Sequence, residues 1–319
     1  MQFEEKLDVI EEDIAQYSRE LLDILLKDRT TNKNIIWATN DYSSYGALYQ
    51  ATEQIDANLI MGIYSKIIQP RVAKAHEQKN SRTRDKAEVF TPSWICNAQN
   101  NLVDERWFGR PDVFNVEKNN TWTATERVIF PEDSQHTWKN YVDARRIEVS
   151  CGEAPYLVSR YDTVTGDPIE LLSRIGLLDR KLRVVSENAP DEKEWLKWAY
   201  RAYESVYGFE FQGDNLLLAR ENLLYTFIDY MRYALKRTPT LDELKKVATI
   251  ISWNLWQMDG LTYGPPLCDI QEEVNQISMF DLMAEEPLIV QKPAQSRCKI
   301  KDWRAKVNVE YYSLVKGEL

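Results

Sequence analysis

The 319-residue chain predicts an α/β protein preceded by a helical unit. Two observations carry this. Beyond Arg146, short β-rich runs alternate with amphipathic helical stretches, and that strand–helix–strand order implies a parallel sheet with helices on its faces. Before residue 80, apolar residues recur at helical spacing up to a polar, charged connector, Gln78–Lys86. The expected division is residues 1–80 as a helical N-terminal domain, 81–268 as the α/β domain and 269–319 as a C-terminal extension.

Taken in order, Phe3, Leu7, Ile10, Ile14, Tyr17, Leu21 and Ile24 step alternately by four and three, the spacing of a packed helix seam. That seam is expected to dock on a partner or on its own domain. Polar Lys27–Asn34 breaks it. A second helical pattern runs from Tyr45 to Glu77, crossed at Pro70, which should end or kink it. Phe114–Tyr141, rich in Trp, Thr, Asn and Val, reads as strands or an extended arm turning at Asn119-Asn120. Strands are expected at Ile147–Ser150, at Val206–Phe211 and at Ile250–Met258, the last ending at Asp259-Gly260. Between them lie a helix over Lys193–Ser205 and one that Asp214 caps, with Leu217, Leu224, Ile228, Met231 and Leu235 on its apolar face. Thr240-Leu241-Asp242-Glu243 is a capping box for a further helix to about Thr249. Val307–Tyr312 reads as a late strand.

Composition narrows the function classes. Hydrophobic residues at 44% and charged residues at 28% are ordinary for a soluble globular protein. No apolar run approaches the roughly 18 residues that span a bilayer, and the acidic start, Met1-Gln2-Phe3-Glu4-Glu5-Lys6, has no apolar signal core. These features predict a cytoplasmic protein with no membrane partner. Cys96, Cys151, Cys268 and Cys298 are scattered, and the only histidines are His76 and His136, which argues against a zinc site or a disulfide framework. The net charge of −10 counts against tight DNA binding by the chain alone, because phosphate neutralisation drives such binding. Basic runs at Arg82, Arg84 and Lys86, and at Lys299, Lys301, Arg304 and Lys306, read first as solvated faces.

In an open parallel sheet, ligands sit beyond the carboxyl ends of the strands. Here those ends fall at Cys151-Gly152-Glu153, at Glu210 and at Asp259. Gly152 lets the backbone pass close under a ligand. A carboxylate on the second strand can accept two ribose hydroxyls, and one on the third can accept the amino group of an adenine. Glu153 is placed to face an ammonium group. A single carboxylate at a strand end is more often merely solvated; their order points to a nucleotide-like ligand.

Thr91-Pro92, Cys151-Gly152, Glu210 and Asp259 resemble, in that order, the cofactor-binding motifs of adenine-type (amino-group) DNA methyltransferases. The chain looks like the group labelled restriction endonuclease subunit M, and the motifs cover about residues 82–262. The resemblance implies a Rossmann-like methyltransferase fold, S-adenosylmethionine as cofactor, Thr91-Pro92 beside its methionine end, and DNA and a specificity or restriction subunit as partners in a restriction-modification or phage-defence system. Two departures stand out. Glu148-Val149-Ser150-Cys151-Gly152-Glu153-Ala154 replaces Asp-Pro-Ala-Cys-Gly-Ser-Gly, and an insertion that includes Arg174–Arg183 precedes Glu210. The family's Asp/Asn-Pro-Pro-aromatic segment, which accepts from the target amino group and stacks on the extruded base, is absent. The only Pro-Pro, in Gly264-Pro265-Pro266-Leu267, has neither acceptor nor aromatic. Asn254 and Asp259 are the remaining catalytic candidates. Three readings follow: a DNA methyltransferase, a catalytically silent subunit binding DNA or a partner, and a methyltransferase for a non-DNA substrate.

Overall fold

The computed structural model describes residues 11–74, 91–268 and 297–317. The heptad run becomes two short helices, α1 (Glu11–Tyr17) and α2 (Arg19–Leu26). They part at Ser18, whose extended φ, ψ of −175°, 136° cannot continue a helix. Phe3, Leu7 and Ile10 lie outside the described residues, as do the connector with Arg82, Arg84 and Lys86 and most of the C-terminal extension up to residue 296. Leu21, Leu22, Leu25 and Leu26 are fully buried in one core shared with the helices of the α/β region.

The expected helix over Tyr45–Glu77 does not form in its described part, which is a series of single 3-10 turns from Ser43–Tyr45 to Arg71–Ala73. Its backbone finds partners elsewhere. Trp37 N donates to Glu53 O at 3.0 Å, Ala38 N to Ala51 O at 2.8 Å and Ile55 N to Ile35 O at 2.8 Å. Pairing with residues 35–38 thus takes backbone groups of residues 51–55 that a helix would have used internally.

Helix α3 (Ser93–Phe108) starts directly after Pro92. The hairpin of β1 (Asn115–Lys118) and β2 (Thr121–Ala124) follows, and its turn residues Asn119 and Asn120 have φ of 51° and 60°. Two left-handed residues match the strand twist of a two-residue hairpin, and asparagine tolerates that conformation. A short helix α4 (Trp138–Asp143) leads to the sheet.

The sheet consists of β3 (Arg146–Val149), β4 (Val206–Glu210) and β5 (Leu255–Gln257), all parallel and ordered β3-β4-β5. Between β3 and β4 run α5 (Leu177–Asn188) and α6 (Glu192–Glu204); between β4 and β5 run α7 (Gly213–Leu235) and α8 (Leu241–Asn254). The fold is therefore α/β, as the alternation predicted. The Thr240/Glu243 capping box is present. Helix α8 nevertheless continues through Ile250 and Ile251, and β5 begins only at Leu255. Val247, Ala248 and Ile251 are buried at helical spacing, and that burial outweighs the mild helix cost of β-branched residues.

Asp214 does not cap α7. The cap position is Gln212, and Asp214 lies within the first turn. Gly213 fixes this start: its N–H donates to Trp37 O at 3.0 Å, and a Cβ there would lie 2.0 Å from Ile36 O. One face of the sheet, with Val206 and Leu255, packs on the helices; the other carries Tyr207, Phe209 and Trp256 against Cys298 and Ile300. Ile300 belongs to a hairpin of β6 (Lys299–Asp302) and β7 (Val307–Glu310), followed by α9 (Tyr311–Lys316). The expected strand to Tyr312 thus stops at Glu310. Arg304 in that hairpin is engaged by Asp143 Oδ2 at 2.6 Å rather than free for phosphate.

Arg220 of α7 joins the front to the sheet. Fully buried, it donates to Leu255 O at 2.6 Å, to Lys27 O at 3.1 Å and to Leu25 O. These carbonyls end α2 and α8, where unpaired acceptors and the helix dipoles favour a cation. Burial lowers its pKa to about 9.

Candidate cofactor site

The carboxyl ends of the three strands lie in register. Cys151 N donates to Phe209 O at 2.9 Å, and Met258 N to Glu210 O at 3.0 Å. Beyond β3 the chain makes an unusual turn: Ser150, Gly152 and Ala154 have φ of 50°, 54° and 62°. Glycine adopts that region freely, whereas Ser150 and Ala154 each store about 1–3 kcal/mol of strain. Such a turn persists only where its surroundings hold it.

Two buried carboxylates do so. Glu210 Oε2 accepts from Gly152 N at 2.9 Å, and its Oε1 accepts from Gln212 N at 3.1 Å. Glu148 accepts from Tyr156 N at 3.3 Å and Leu157 N at 3.1 Å. Ala154, standing where the resembled motif has its second glycine, is fully buried, and its N–H donates to Cys151 O at 2.7 Å. The turn closes on itself around this alanine.

Burial sets the electrostatics. It pushes the Glu148 carboxyl up to about 8, with backbone N–H groups from Tyr156 and Leu157 opposing it. It also raises Glu210, against N–H groups from Gly152 and Gln212. The Cys151 thiol is pushed well up by burial and by both carboxylates, which leaves it inert as a nucleophile.

The Thr91-Pro92 segment approaches the same turn through α3. Asn100 Nδ2 donates to Tyr156 O at 3.0 Å, and the Tyr156 hydroxyl to Gln99 Oε1 at 2.6 Å. Thr91 O accepts from Thr163 Oγ1 at 3.3 Å, and Ser93 N donates to Asp162 Oδ2 at 2.8 Å. Thr91 is thus tied to the Asp162–Thr163 loop beyond the turn, while Gly152 and Glu210 meet each other directly.

Three candidates take different places from those expected. Glu153 turns inward: it is buried, accepts from Arg71 N at 2.6 Å and from the Tyr161 hydroxyl at 2.6 Å, and is engaged with protein rather than facing a ligand. Asn254 lies before β5, at the opposite end of the sheet. Its Nδ2 donates to Tyr203 O and Val206 O, both at 2.9 Å, and its Oδ1 accepts from Trp303 Nε1 at 2.7 Å. Every part of that amide is used, so Asn254 is removed as an acceptor for a target base. Asp259 lies at the correct end but two residues beyond Gln257, the last residue of β5. It is half-buried, with Oδ1 accepting from Leu261 N at 2.8 Å. Pro265 and Pro266 line a cavity of about 490 Å³ with Thr30, Ile36, Gln54 and Gln257.

Sequence reasoning missed the anchors. Glu148 alternates with Ile147 and Val149 on β3, an inward acidic residue that the strand period could have flagged. Gln257 ties the front segment to the strand ends, accepting from Ile36 N at 2.9 Å and donating to Phe211 O at 2.9 Å. Lys74 and the Tyr42 hydroxyl meet Asp214 at 3.2 and 2.7 Å. These long-range pairings left no local signal.

The site is rich in acceptors. Among the described residues no group of His, Cys, Asp and Glu could hold a metal ion, and no helix is long and apolar enough to cross a membrane. No family model matches the chain, and no curated protein or solved structure matches it either.

Proposed function

We propose that the protein has a Rossmann-like methyltransferase fold, binds S-adenosylmethionine at the β3 and β4 ends, and is a DNA (adenine amino-group) methyltransferase-like component of a restriction-modification or phage-defence system. The observation that carries this reading is the left-handed turn at Ser150–Ala154, held by Glu148 and Glu210 at the carboxyl end of a parallel sheet. That is where such folds receive nucleotide-like ligands. The helix that follows Thr91-Pro92 bonds Tyr156, four residues beyond Gly152, through Gln99 and Asn100, which supports the same reading. Glu210 retains lone pairs beyond those given to Gly152 and Gln212, and these suit ribose hydroxyls.

A second reading has its own support. Asn254 is fully engaged, and Pro265-Pro266 carries neither acceptor nor aromatic, so a catalytically silent subunit acting through a DNA or protein partner is favoured at the acceptor end. Calorimetry with S-adenosylmethionine tests what both share. Saturable binding at one site per chain is expected; a folded protein that binds none overturns the cofactor assignment. Methylation-sensitive sequencing of DNA from cells expressing the chain then separates the two.

A further inference from the structure

We propose that Gln212 is a second acceptor for the adenosyl group, taking one ribose hydroxyl while Glu210 takes the other; this rests on the reading of the strand ends as an S-adenosylmethionine site. Gln212 follows Glu210 by two residues, and its N–H is bound by Glu210 Oε1 at 3.1 Å, which couples the two positions. It occupies the cap position of α7, yet its side chain makes no capping hydrogen bond. The residue is only 5% exposed, and its Oε1 is buried without a hydrogen-bond partner. A buried amide oxygen left unpaired is costly, and native proteins reserve such atoms for a ligand, a water or a functional role.

The surroundings indicate what kind of partner fits. Lys74 and the Tyr42 hydroxyl are both directed to Asp214, two residues beyond Gln212. Among the described residues, the end of β4 offers acceptors: the further lone pairs of Glu210 and the oxygen of Gln212. A ligand seated there must bring donors. A vicinal diol brings two, whereas a phosphate would bring none.

Calorimetry with S-adenosylhomocysteine and its 2′-deoxy and 3′-deoxy analogues tests this on wild type and Gln212→Leu. The substitution is expected to weaken S-adenosylhomocysteine about 3–10-fold, the range for one neutral hydrogen bond. It should also abolish the penalty for losing one particular hydroxyl, so that one deoxy analogue binds both proteins equally. Losses that simply add for both analogues overturn the assignment, as does a Gln212→Leu protein with wild-type affinity, and both results leave the cofactor reading standing. Wild type that binds neither S-adenosylmethionine nor S-adenosylhomocysteine overturns that reading and this inference together. Gln212→Met, closer in shape, runs the same cycle if leucine disturbs folding, and an unchanged melting temperature confirms that contact rather than structure was lost.

Discussion

The two ends of the proposed cofactor edge are built differently. Where β3 and β4 finish, carboxylates are withdrawn from solvent and used to hold backbone N–H groups, so a strained turn is fixed before any ligand arrives. Where β5 finishes, Asp259 stays half-buried and its contacts with Leu261, Tyr263 and Gly264 are all local to its turn, and Pro265-Pro266 packs beside the front segment. Preorganised polar groups are what binding and catalysis draw on. The contrast teaches that the cofactor half of the proposed site is prepared, while the half that would receive a target base has no equivalent preparation.

The largest effect expected from this contrast is on turnover. Each 1.4 kcal/mol of lost transition-state stabilisation is about tenfold in rate, and the sequence has no Asp/Asn-Pro-Pro-aromatic segment like that of the resembled enzymes. Purified protein should therefore bind cofactor yet transfer labelled methyl groups to unmodified DNA slowly, or only with a partner subunit. Rapid turnover by the isolated chain would erase the asymmetry.

Next comes Glu210→Ala, which removes both the proposed ribose acceptor and the anchor of Gly152 N. S-adenosylmethionine binding should weaken by about 1.5–3 kcal/mol, the scale for hydrogen bonds to charged groups. Calorimetry on the folded variant decides, and unchanged affinity takes Glu210 out of the site.

Glu148 sharpens the comparison through pH, with a smaller effect because two backbone N–H groups offset part of its burial. Its carboxyl is raised from an ordinary 4.5 to about 8. The folded protein thus keeps a proton that the unfolded chain releases, and this group's contribution to stability falls as pH rises from about 4.5 to about 8. Denaturant midpoints measured across that window should decline in wild type and flatten in Glu148→Gln. An identical slope in both means that the carboxyl is ionised throughout and that the turn is held differently.

Much of this was legible in the sequence, and the exceptions have physical causes. The alternation beyond Arg146, the Asn119-Asn120 hairpin and the Thr240/Glu243 box all express local preferences, and local preferences are what a sequence states directly. The Tyr45–Glu77 pattern misled because its apolar residues do not share one face: Tyr49, Ile55 and Ile60 are buried while Tyr45, Leu48 and Ile63 are exposed, and residues 51–55 pair their backbone with residues 35–38. Glu153 read as a strand-end carboxylate facing a ligand, but the Tyr161 hydroxyl and the backbone of Arg71, 82 residues away, hold it instead. Asn254 misled because the five residues 250–254, expected as strand, continue the helix and place it before β5; helix–strand boundaries inside an Ile-rich run depend on tertiary burial.

The smallest effect is expected at Asp259. If it contacts the adenine amino group, it does so as a half-buried carboxylate already shared with Leu261 N, with water competing for its free oxygen. Asp259→Ala should then weaken S-adenosylmethionine by about 0.5–1.5 kcal/mol, the net worth of an ordinary hydrogen bond. Asp259→Asn separates the roles within that range. An asparagine oxygen still accepts from an amino group and from Leu261 N, so binding should stay near wild type while any methyl-transfer chemistry that needs the charge is lost. A loss at Asp259→Ala as large as that at Glu210→Ala would mean that the β5 end is as well prepared as the β4 end, and the asymmetry would have to be abandoned.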